Sequence, residues 1–448
     1  MSGPPPSRLS AWASSTLRTE VALELIPGGG SRTSYVARGA DGSRHLLRVD
    51  NGAGPLSGTE FTIEREHRVI SGLRRAGFPV PAVTAYDAAQ NAMLMEFVEG
   101  TTSYQVQVSP EQQRAIQSDL MRHVVALHAL QPQQLGLEDF ARTATVGAAL
   151  QHDLARLGSM YAPPEILKEP EIDFALSWLR SNVPDPSQPA RIVHGDVGPG
   201  NFIFGPDGRL RAIIDWEVVH MGHPLEDLGA VLCRSLGVPF GEAHEHIANY
   251  EAFSGAAVDR DALAYGVILV LTRWYVGLNL AVSRPSPSQN LPVLLTYRQS
   301  VADALVRALA ERHRLAELPE GALTAAAPEP YVHDYVLHTL EQLVIPTLTD
   351  PYVRDRAQGL ASLSRYLRDR AAYGAERLQQ EETRDVEQLT GRRFASHAAA
   401  HAALCELAQS ASGAAIPGVI ACLQRINQRR QLVWRAAMGP MADRRLRY

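Results

Sequence analysis

The 448-residue sequence predicts an α+β protein: a small antiparallel β-sheet lobe, a mainly helical lobe and an all-α C-terminal domain. Three observations predict this. Before residue 100, short β-branched and apolar runs alternate with turns rich in Gly, Asp and Asn. From there to residue 316 helical periodicity dominates, interrupted by one strand pair around residues 192–217. Beyond the Pro/Ala-rich stretch "ELPEGALTAAAPEP", residues 317–330, nearly every segment is helix-forming.

Residues 1–19 read as a flexible arm, because "MSGPPPSRLSAWASS" is rich in Pro and Ser and lacks the apolar core of a leader peptide. The small lobe, residues 20–98, opens with "VALELIPGGGSRTSYVARGADGSRHLLRVD". This reads as three short strands, with Gly28, Gly29 and Gly30 separating the first two and "ADGS" turning the second into the third. In "SGTEFTIEREHRVISGLRRAG", Phe61, Val69, Ile70 and Leu73 mark the apolar face of a helix; Ser57 is placed to cap its start, and Gly77 ends it before Pro79. "AVTAYDAAQNAMLMEFVEG" adds two strands around a polar turn.

The helical lobe, residues 99–316, begins with "EQQRAIQSDLMRHVVALHAL", where Leu120, Val124, Leu127 and Leu130 recur at helical spacing. "SNVPDPSQPAR" is a connection. "IVHGDVGPGNFIF" and "RLRAIIDWE" then form a hairpin-like pair around "GPDG", and helices fill most of the next hundred residues. After the expected linker at 317–330, the C-terminal domain, residues 331–448, carries one clear apolar stripe in Val353, Ala357, Leu360, Leu363 and Leu367. Such stripes need burial, against the rest of the chain or against a neighbouring subunit, so a homo-oligomer through these helices is one expected outlet.

Bulk properties narrow the function. A net charge of −5 gives no general attraction to nucleic acid or to a membrane surface, and neither is expected as a partner. The basic tail "RINQRRQLVWRAAMGPMADRRLRY" reads as a solvated helix face. Three widely spaced cysteines, Cys233, Cys405 and Cys422, form no disulfide or zinc pattern. No uninterrupted apolar run reaches the roughly 18 residues of a membrane span, and a cytoplasmic protein is expected. His220 and His223 make an HxxH pair without a third ligand at suitable spacing, which favours a structural role over zinc.

The chemistry concentrates around residues 192–217. Asp196 and Asn201 follow one apolar strand, and Asp215 ends another. Phosphoryl transfer from a nucleotide needs a metal against the phosphates, a carboxylate to orient the accepting hydroxyl, and cations on the triphosphate. Magnesium takes hard oxygen ligands, and two acids with one carboxamide form such a set.

On these residues the sequence resembles the aminoglycoside phosphotransferase (choline kinase-like) superfamily, a branch of the protein-kinase-like fold. "HGDVGPGN" matches its HGDxxxxN signature, "IIDWE" its second metal aspartate, and "GHPLEDLG" the segment that follows. The matches run in order over about residues 20–310. The resemblance implies a bilobal kinase using ATP and Mg2+, with Asp196 as catalytic base, Asn201 and Asp215 as magnesium ligands, and Asp227 bracing the catalytic loop. It further implies that Gly28, Gly29, Gly30 and Ser31 cover the phosphates and that Arg48 is the phosphate-binding cation with Glu66 as its helix partner, Glu64 being the competing acid. Backbone groups of Glu96 and Val98 in "LMEFVEG" would hold adenine. Arginine where the family usually has lysine is similar to the acyl-CoA-dehydrogenase-associated kinase branch. That branch implies a hydroxy acid or hydroxyacyl-CoA as acceptor; the alternatives are an aminoglycoside-type phosphotransferase and a non-catalytic nucleotide-binding scaffold. Arg273 and Trp274 stand where such kinases line the acceptor pocket, though an amphipathic core helix explains them equally.

Overall fold

In the computed structural model of the protein, residues 6–26, 32–52, 56, 58–103, 109–285, 289–319, 321–323, 327–446 and 448 are described. The helices are α1 (Pro6–Leu17), α2 (Ile63–Arg75), α3 (Pro110–Ala129), α4 (Val146–Tyr161), α5 (Pro170–Ser181), α6 (Leu225–Arg234), α7 (Ala243–Ser254), α8 (Arg260–Ser283), α9 (Leu291–Arg312), α10 (Pro330–His338), α11 (Pro351–Tyr373), α12 (Ala375–Thr390), α13 (His397–Ser410) and α14 (Ile416–Met438). The strands are β1 (Val21–Ile26), β2 (Thr33–Gly39), β3 (Arg44–Val49), β4 (Val83–Asp87), β5 (Ala92–Glu96), β6 (Arg191–Val193), β7 (Phe202–Phe204), β8 (Leu210–Ile213) and β9 (His220–Gly222). The chain divides into two compact units: Met1–His152 with Pro184–Gly266 and the last two residues, and Asp153–Val183 with Val267–Leu446.

The first unit contains the five-stranded antiparallel sheet that the sequence predicts, and its strand order is β1-β2-β3-β5-β4. Strand alternation decides what its central strand offers to each side. Leu47 and Val49 of β3 enter one apolar cluster with Leu9, Ala13, Val21, Ala37, Ala92 and Leu94. Arg48, between them, is on the opposite face. The cluster corrects the expected flexible arm: residues 6–17 are helix α1, with Leu9 and Ala13 buried. Ser10 Oγ donates to Val21 O at 2.5 Å, and Val21 N donates to Ser14 Oγ at 2.9 Å, tying the helix to the first strand.

Helix α2 buries Ile63, Val69, Ile70 and Leu73, and Thr62 rather than Ser57 caps it, its side chain accepting from Arg65 N. Ser57 lies outside the described residues. Farther along, β7 and β8 form the hairpin around "GPDG", with Phe202 opposite Ile213, and β6 pairs with β9. These short ladders fix the loop that carries Asp196 and the turn that carries Asp215.

The second unit is helical, and it does not divide at residues 317–330. Helices α9 and α14, on either side of that segment, pack together. Gln299 Nε2 donates to Asn427 Oδ1 at 2.9 Å, and Asn427 Nδ2 donates to Ala302 O at 3.1 Å. Of the stripe on α11, Ala357 is buried while Val353, Leu360 and Leu367 are exposed. Helix α8 is long and apolar enough to cross a membrane by length and composition alone, the arginine at position 273 notwithstanding. Much of it is interior, including Val267, Ile268, Val270 and Leu271.

Candidate active site

Arg48 leaves β3 on the face away from the apolar cluster, and carboxylates surround it. Its Nη1 donates to Glu66 Oε1 at 2.5 Å, and its Nη2 donates to Asp215 Oδ1 at 2.9 Å and Glu217 Oε2 at 3.3 Å. Burial alone would lower the guanidinium's pKa; attraction to Glu66, Asp215 and Glu217 outweighs it and holds Arg48 well above the usual range. Glu66 is therefore the helix partner, as the family register implies, while Glu64 is exposed.

The sequence reading missed a second buried guanidinium. Arg32 Nη1 donates to Asp50 Oδ2 at 2.6 Å and Nη2 to Phe61 O at 2.7 Å, while its Nε lies 3.2 Å from Glu66 Oε2 and 3.6 Å from Glu217 Oε2. Glu66 thus bridges two arginines. Gly28, Gly29, Gly30 and Ser31, immediately before Arg32, lie outside the described residues.

Asp215 adopts a left-handed backbone, φ 68°, which Asp tolerates better than most residues and which is found where a side chain must be aimed. The residue before it stitches the two functional segments together. Ile214 N donates to Asn201 O at 3.0 Å, and Ile214 O accepts from His194 Nε2 at 2.9 Å. Burial pushes the Asp215 carboxyl upward, but the adjacent Arg48 outweighs it and holds the group below the ordinary carboxylate range.

In the segment that begins at Asp196, Asn201 Nδ2 donates to Asp196 O at 2.8 Å and to Asp196 Oδ2 at 2.9 Å. Arg234, the last residue of α6, completes this arrangement and was not foreseen. Its Nη1 donates to both carboxylate oxygens of Asp196 at 2.8 Å, its Nε to Pro199 O at 2.8 Å, and its Nη2 to Asn201 Oδ1 at 3.3 Å. The loop glycines make room for it: a Cβ on Gly198 would meet Arg234 Cδ at 2.9 Å, and one on Gly200 would meet Nη2 at 3.0 Å. Both also have positive φ.

The loop is held from beneath by Asp227, whose Oδ2 accepts from His194 N at 2.9 Å and whose Oδ1 accepts from Gly195 N at 2.8 Å. His128 Nε2 is 3.1 Å from Oδ2, and its Nδ1 is 3.1 Å from Tyr250 Oη. Burial would raise the Asp227 pKa; the His128 hydrogen bond, the neighbouring histidines and the backbone donors hold it low. His194 is a packed loop histidine: Nδ1 accepts from Asp196 N at 3.3 Å, so Nε2 carries the proton given to Ile214 O.

The remaining candidates resolve individually. Glu96 N donates to Ala82 O at 2.8 Å and its Oε2 accepts from Ala82 N at 3.0 Å, so an adenine contact at this residue would use its carbonyl. Val98 is half-buried in the segment after β5. Gly100 is needed there, because a Cβ would lie 2.5 Å from Phe204 O. His220 Nε2 is 3.0 Å from Glu226 Oε1, and His223 Nδ1 accepts from Leu225 N at 3.2 Å, so the HxxH pair is occupied structurally. Among the described residues no group of three His, Cys, Asp or Glu side chains could hold a metal by themselves. In the second unit Arg273 is buried, with Nη2 donating to Asp153 Oδ2 at 2.8 Å.

The donor chemistry fits a magnesium nucleotide. Asp215, Glu217, Asp196 and the Asn201 carboxamide are hard oxygen donors, the kind magnesium prefers. The buried Nε of Arg48 has no acceptor among the described residues, leaving a donor for an incoming anion.

The profile of the phosphotransferase enzyme family, APH, matches residues 22–264, more than half of the chain. The acyl-CoA dehydrogenase family member 11 of Rattus norvegicus is 30% identical over 196 residues, which are 42% of this chain and 25% of that protein. The Homo sapiens protein of the same name is 27% identical over 230 residues, 49% of this chain and 29% of that protein. The chain therefore spans little more than a quarter of the length of these relatives. Among solved structures, a Ralstonia eutropha JMP134 protein described as an aminoglycoside phosphotransferase superposes with TM-score 0.52 at 23% identity, covering 66% of this chain and 94% of that one. That likeness establishes the kinase-like fold.

Proposed function

The chain belongs to the phosphotransferase enzyme family, and from that premise we propose that it is an ATP- and Mg2+-dependent kinase phosphorylating a hydroxyl of a small molecule, with Asp196 as catalytic base. The observation that carries this reading is the stitching of the Asp196–Asn201 loop to the Asp215–Glu217 turn through Ile214, with Arg48 on one and Arg234 on the other. Phosphoryl transfer asks for positioning and charge stabilisation more than for covalent chemistry. Asp196, oriented by Asn201 and Arg234, would accept or orient the proton of the acceptor hydroxyl. Asn201 and Asp215, joined by Glu217, would hold magnesium, which supplies charge neutralisation on the phosphates. Arg48 would turn part of its fork from carboxylates to phosphate oxygens while Glu66, gripped by Arg32, keeps it in place. Gly28, Gly29, Gly30 and Ser31 are assigned to the phosphates, and the backbone of Glu96 and Val98 to adenine. The setting we propose is the cytoplasm, where ATP is available.

For the acceptor we favour a hydroxy acid or its coenzyme A thioester. The names of the relatives point toward acyl-CoA chemistry. Arg234 supports the same choice against an aminoglycoside: it already neutralises Asp196, so a polycation would find little net negative charge at the base.

Magnesium-dependent ATP affinity and acceptor-dependent ADP release, measured for wild type, Asp196→Asn and Asp215→Ala, test the assignment. The acceptors are hydroxyacyl-CoAs, free hydroxy acids, amino alcohols and aminoglycosides. Asp196→Asn should keep nucleotide affinity and lose roughly 10²–10⁴-fold in turnover. Asp215→Ala should lose magnesium-dependent ATP binding together with turnover. Equal turnover in Asp196→Asn and wild type would sink the mechanism. A wild type that binds ATP and releases no ADP with any acceptor would favour a non-catalytic nucleotide-binding module.

A further inference from the structure

We propose that Arg234 recognises the acceptor, and that it selects one carrying a free carboxylate close to the hydroxyl. The inference rests on the reading of Asp196 as the base. In the free protein that carboxylate is already engaged. Its Oδ1 accepts from Arg234 Nη1, and its Oδ2 accepts from Arg234 Nη1 and Asn201 Nδ2. A carboxylate offers about four lone-pair sites, so these three contacts leave little for a substrate hydroxyl. An acceptor must therefore compete with a guanidinium for Asp196. A neutral alcohol brings nothing to exchange for a charge-assisted hydrogen bond, whereas a carboxylate gives Arg234 an equivalent partner.

The surroundings of Arg234 suit such an exchange. Its Nε donates to Pro199 O at 2.8 Å, which anchors the stem while the head turns. The Nη2 contact with Asn201 Oδ1 is longer, at 3.3 Å, and is readily given up. The Arg234 and Asp196 side chains are 22% and 23% exposed and stand 2.8 Å apart, so one ligand from solvent reaches both. Glycine at positions 198 and 200 keeps the space beside the guanidinium clear, since a Cβ at either would press on it. A hydroxyl bonded to Asp196 and a carboxylate oxygen bonded to Nη1, each at hydrogen-bond distance, would lie about 5–6 Å apart. A short hydroxy acid spans that separation. Its coenzyme A thioester carries no charge at this point, so the geometry favours the free acid of the two.

Calorimetric binding to the full chain tests this without any turnover. The probes are α-, β- and γ-hydroxybutyrate, each beside its neutral amide. Wild type should prefer at least one acid over its amide by about 10–100-fold, the worth of hydrogen bonds to a charged group. Arg234→Met should bring acid and amide level. Arg234→Lys should keep a reduced preference, because lysine offers a point charge in place of a fork. Asp196→Asn removes the competitor for the guanidinium, so it should bind the favoured acid more tightly than wild type. That gain should vanish when Arg234→Met is added. Urea unfolding of each variant verifies that it is folded. A preference that persists in Arg234→Met would overturn the proposal, as would a wild type that binds no acid better than its amide. Weaker binding of the acid to Asp196→Asn would overturn the competition for Arg234. An Arg234-dependent preference in a protein that releases no ADP would uphold the recognition and remove the kinase reading alone.

Discussion

At the scale of single residues, the site is organised by arginines that each serve several acceptors. Arg48 reaches three carboxylates from two nitrogens, which a lysine ammonium on a flexible stem could not do with the same geometry. Arg234 does the equivalent for the Asp196–Asn201 loop, and its role can be separated from general support. If it positions Asp196, then Arg234→Met should lower kcat by about 10–100-fold while leaving magnesium-ATP affinity nearly unchanged. In an Asp196→Asn background the same substitution should cost little more, because residues acting as one unit are not additive. The check is kcat and ATP affinity across the four proteins of that double-mutant cycle. Full additivity would mean that Arg234 acts elsewhere. Asp196, Asn201 and Asp215 were legible in the sequence because their spacing is local and their flanking strands are short. Arg234 and Arg32 were not, since their partners are distant in the sequence: Asp196 for Arg234, and Phe61, Glu66 and Glu217 for Arg32. The one available signal was the GPG of "HGDVGPGN": two glycines flanking a proline in a loop between strands imply close approach by another group.

At the scale of elements, α1 shows how composition can hide a helix. Leu9, Ala13 and Leu17 have i, i+4, i+8 spacing, with Trp12 beside them, but the Pro/Ser-rich start suggested an arm. Helices this short draw their stability from tertiary packing rather than propensity. Here the packing partners are Leu47, Val49 and Leu94 of the sheet, and the helix's own Ser10 and Ser14 bond Val21 of the first strand. No local pattern could supply those contacts. Leu9 is almost fully buried, so Leu9→Ala should destabilise the first unit by about 2–4 kcal/mol through lost transfer energy and a residual cavity. Urea unfolding would register this as a lower midpoint, and an unchanged midpoint would mean that α1 is dispensable. The segment at 317–330 failed for the complementary reason. Its Pro/Ala content resembles a linker, yet the helices on either side bury their apolar faces on each other. The strands of the sheet were legible because alternation and turn chemistry are both local.

At the scale of the whole molecule, the second unit gathers buried charge where a helical bundle would ordinarily be apolar. Arg430 Nε donates to Glu382 Oε1 at 3.1 Å, and its Nη1 lies 3.3 Å from Glu169 Oε2 and 3.5 Å from Glu171 Oε1. Arg298 also binds Glu169, and His397 Nε2 is 2.9 Å from Glu382 Oε2. These residues join α5, α9, α12, α13 and α14, so the network links helices that are distant in sequence. Removing one partner of such a set is costly because the others stay buried with their charge uncompensated. Burial opposes the ionised form of Glu382, but Arg430 and His397 outweigh it and hold its pKa at about 2, against an ordinary 4.5. A carboxylate depressed in the folded state stabilises the fold fully above its unfolded pKa and loses that contribution as pH falls toward the folded value. The window is therefore about pH 4.5 down to 2. At roughly 1.4 kcal/mol per pH unit, the contribution near neutrality is at most about 3 kcal/mol. Glu382→Gln should accordingly lower the stability of the second unit by ~1–3 kcal/mol at pH 7, and the gap to wild type should close as the solution is taken below pH 4.5. Urea unfolding of both proteins at pH 7, 4 and 3, with hydrogen exchange followed in α12 and α14, measures that gap directly. A difference that stays constant with pH would show that Glu382 contributes through packing rather than through its charge.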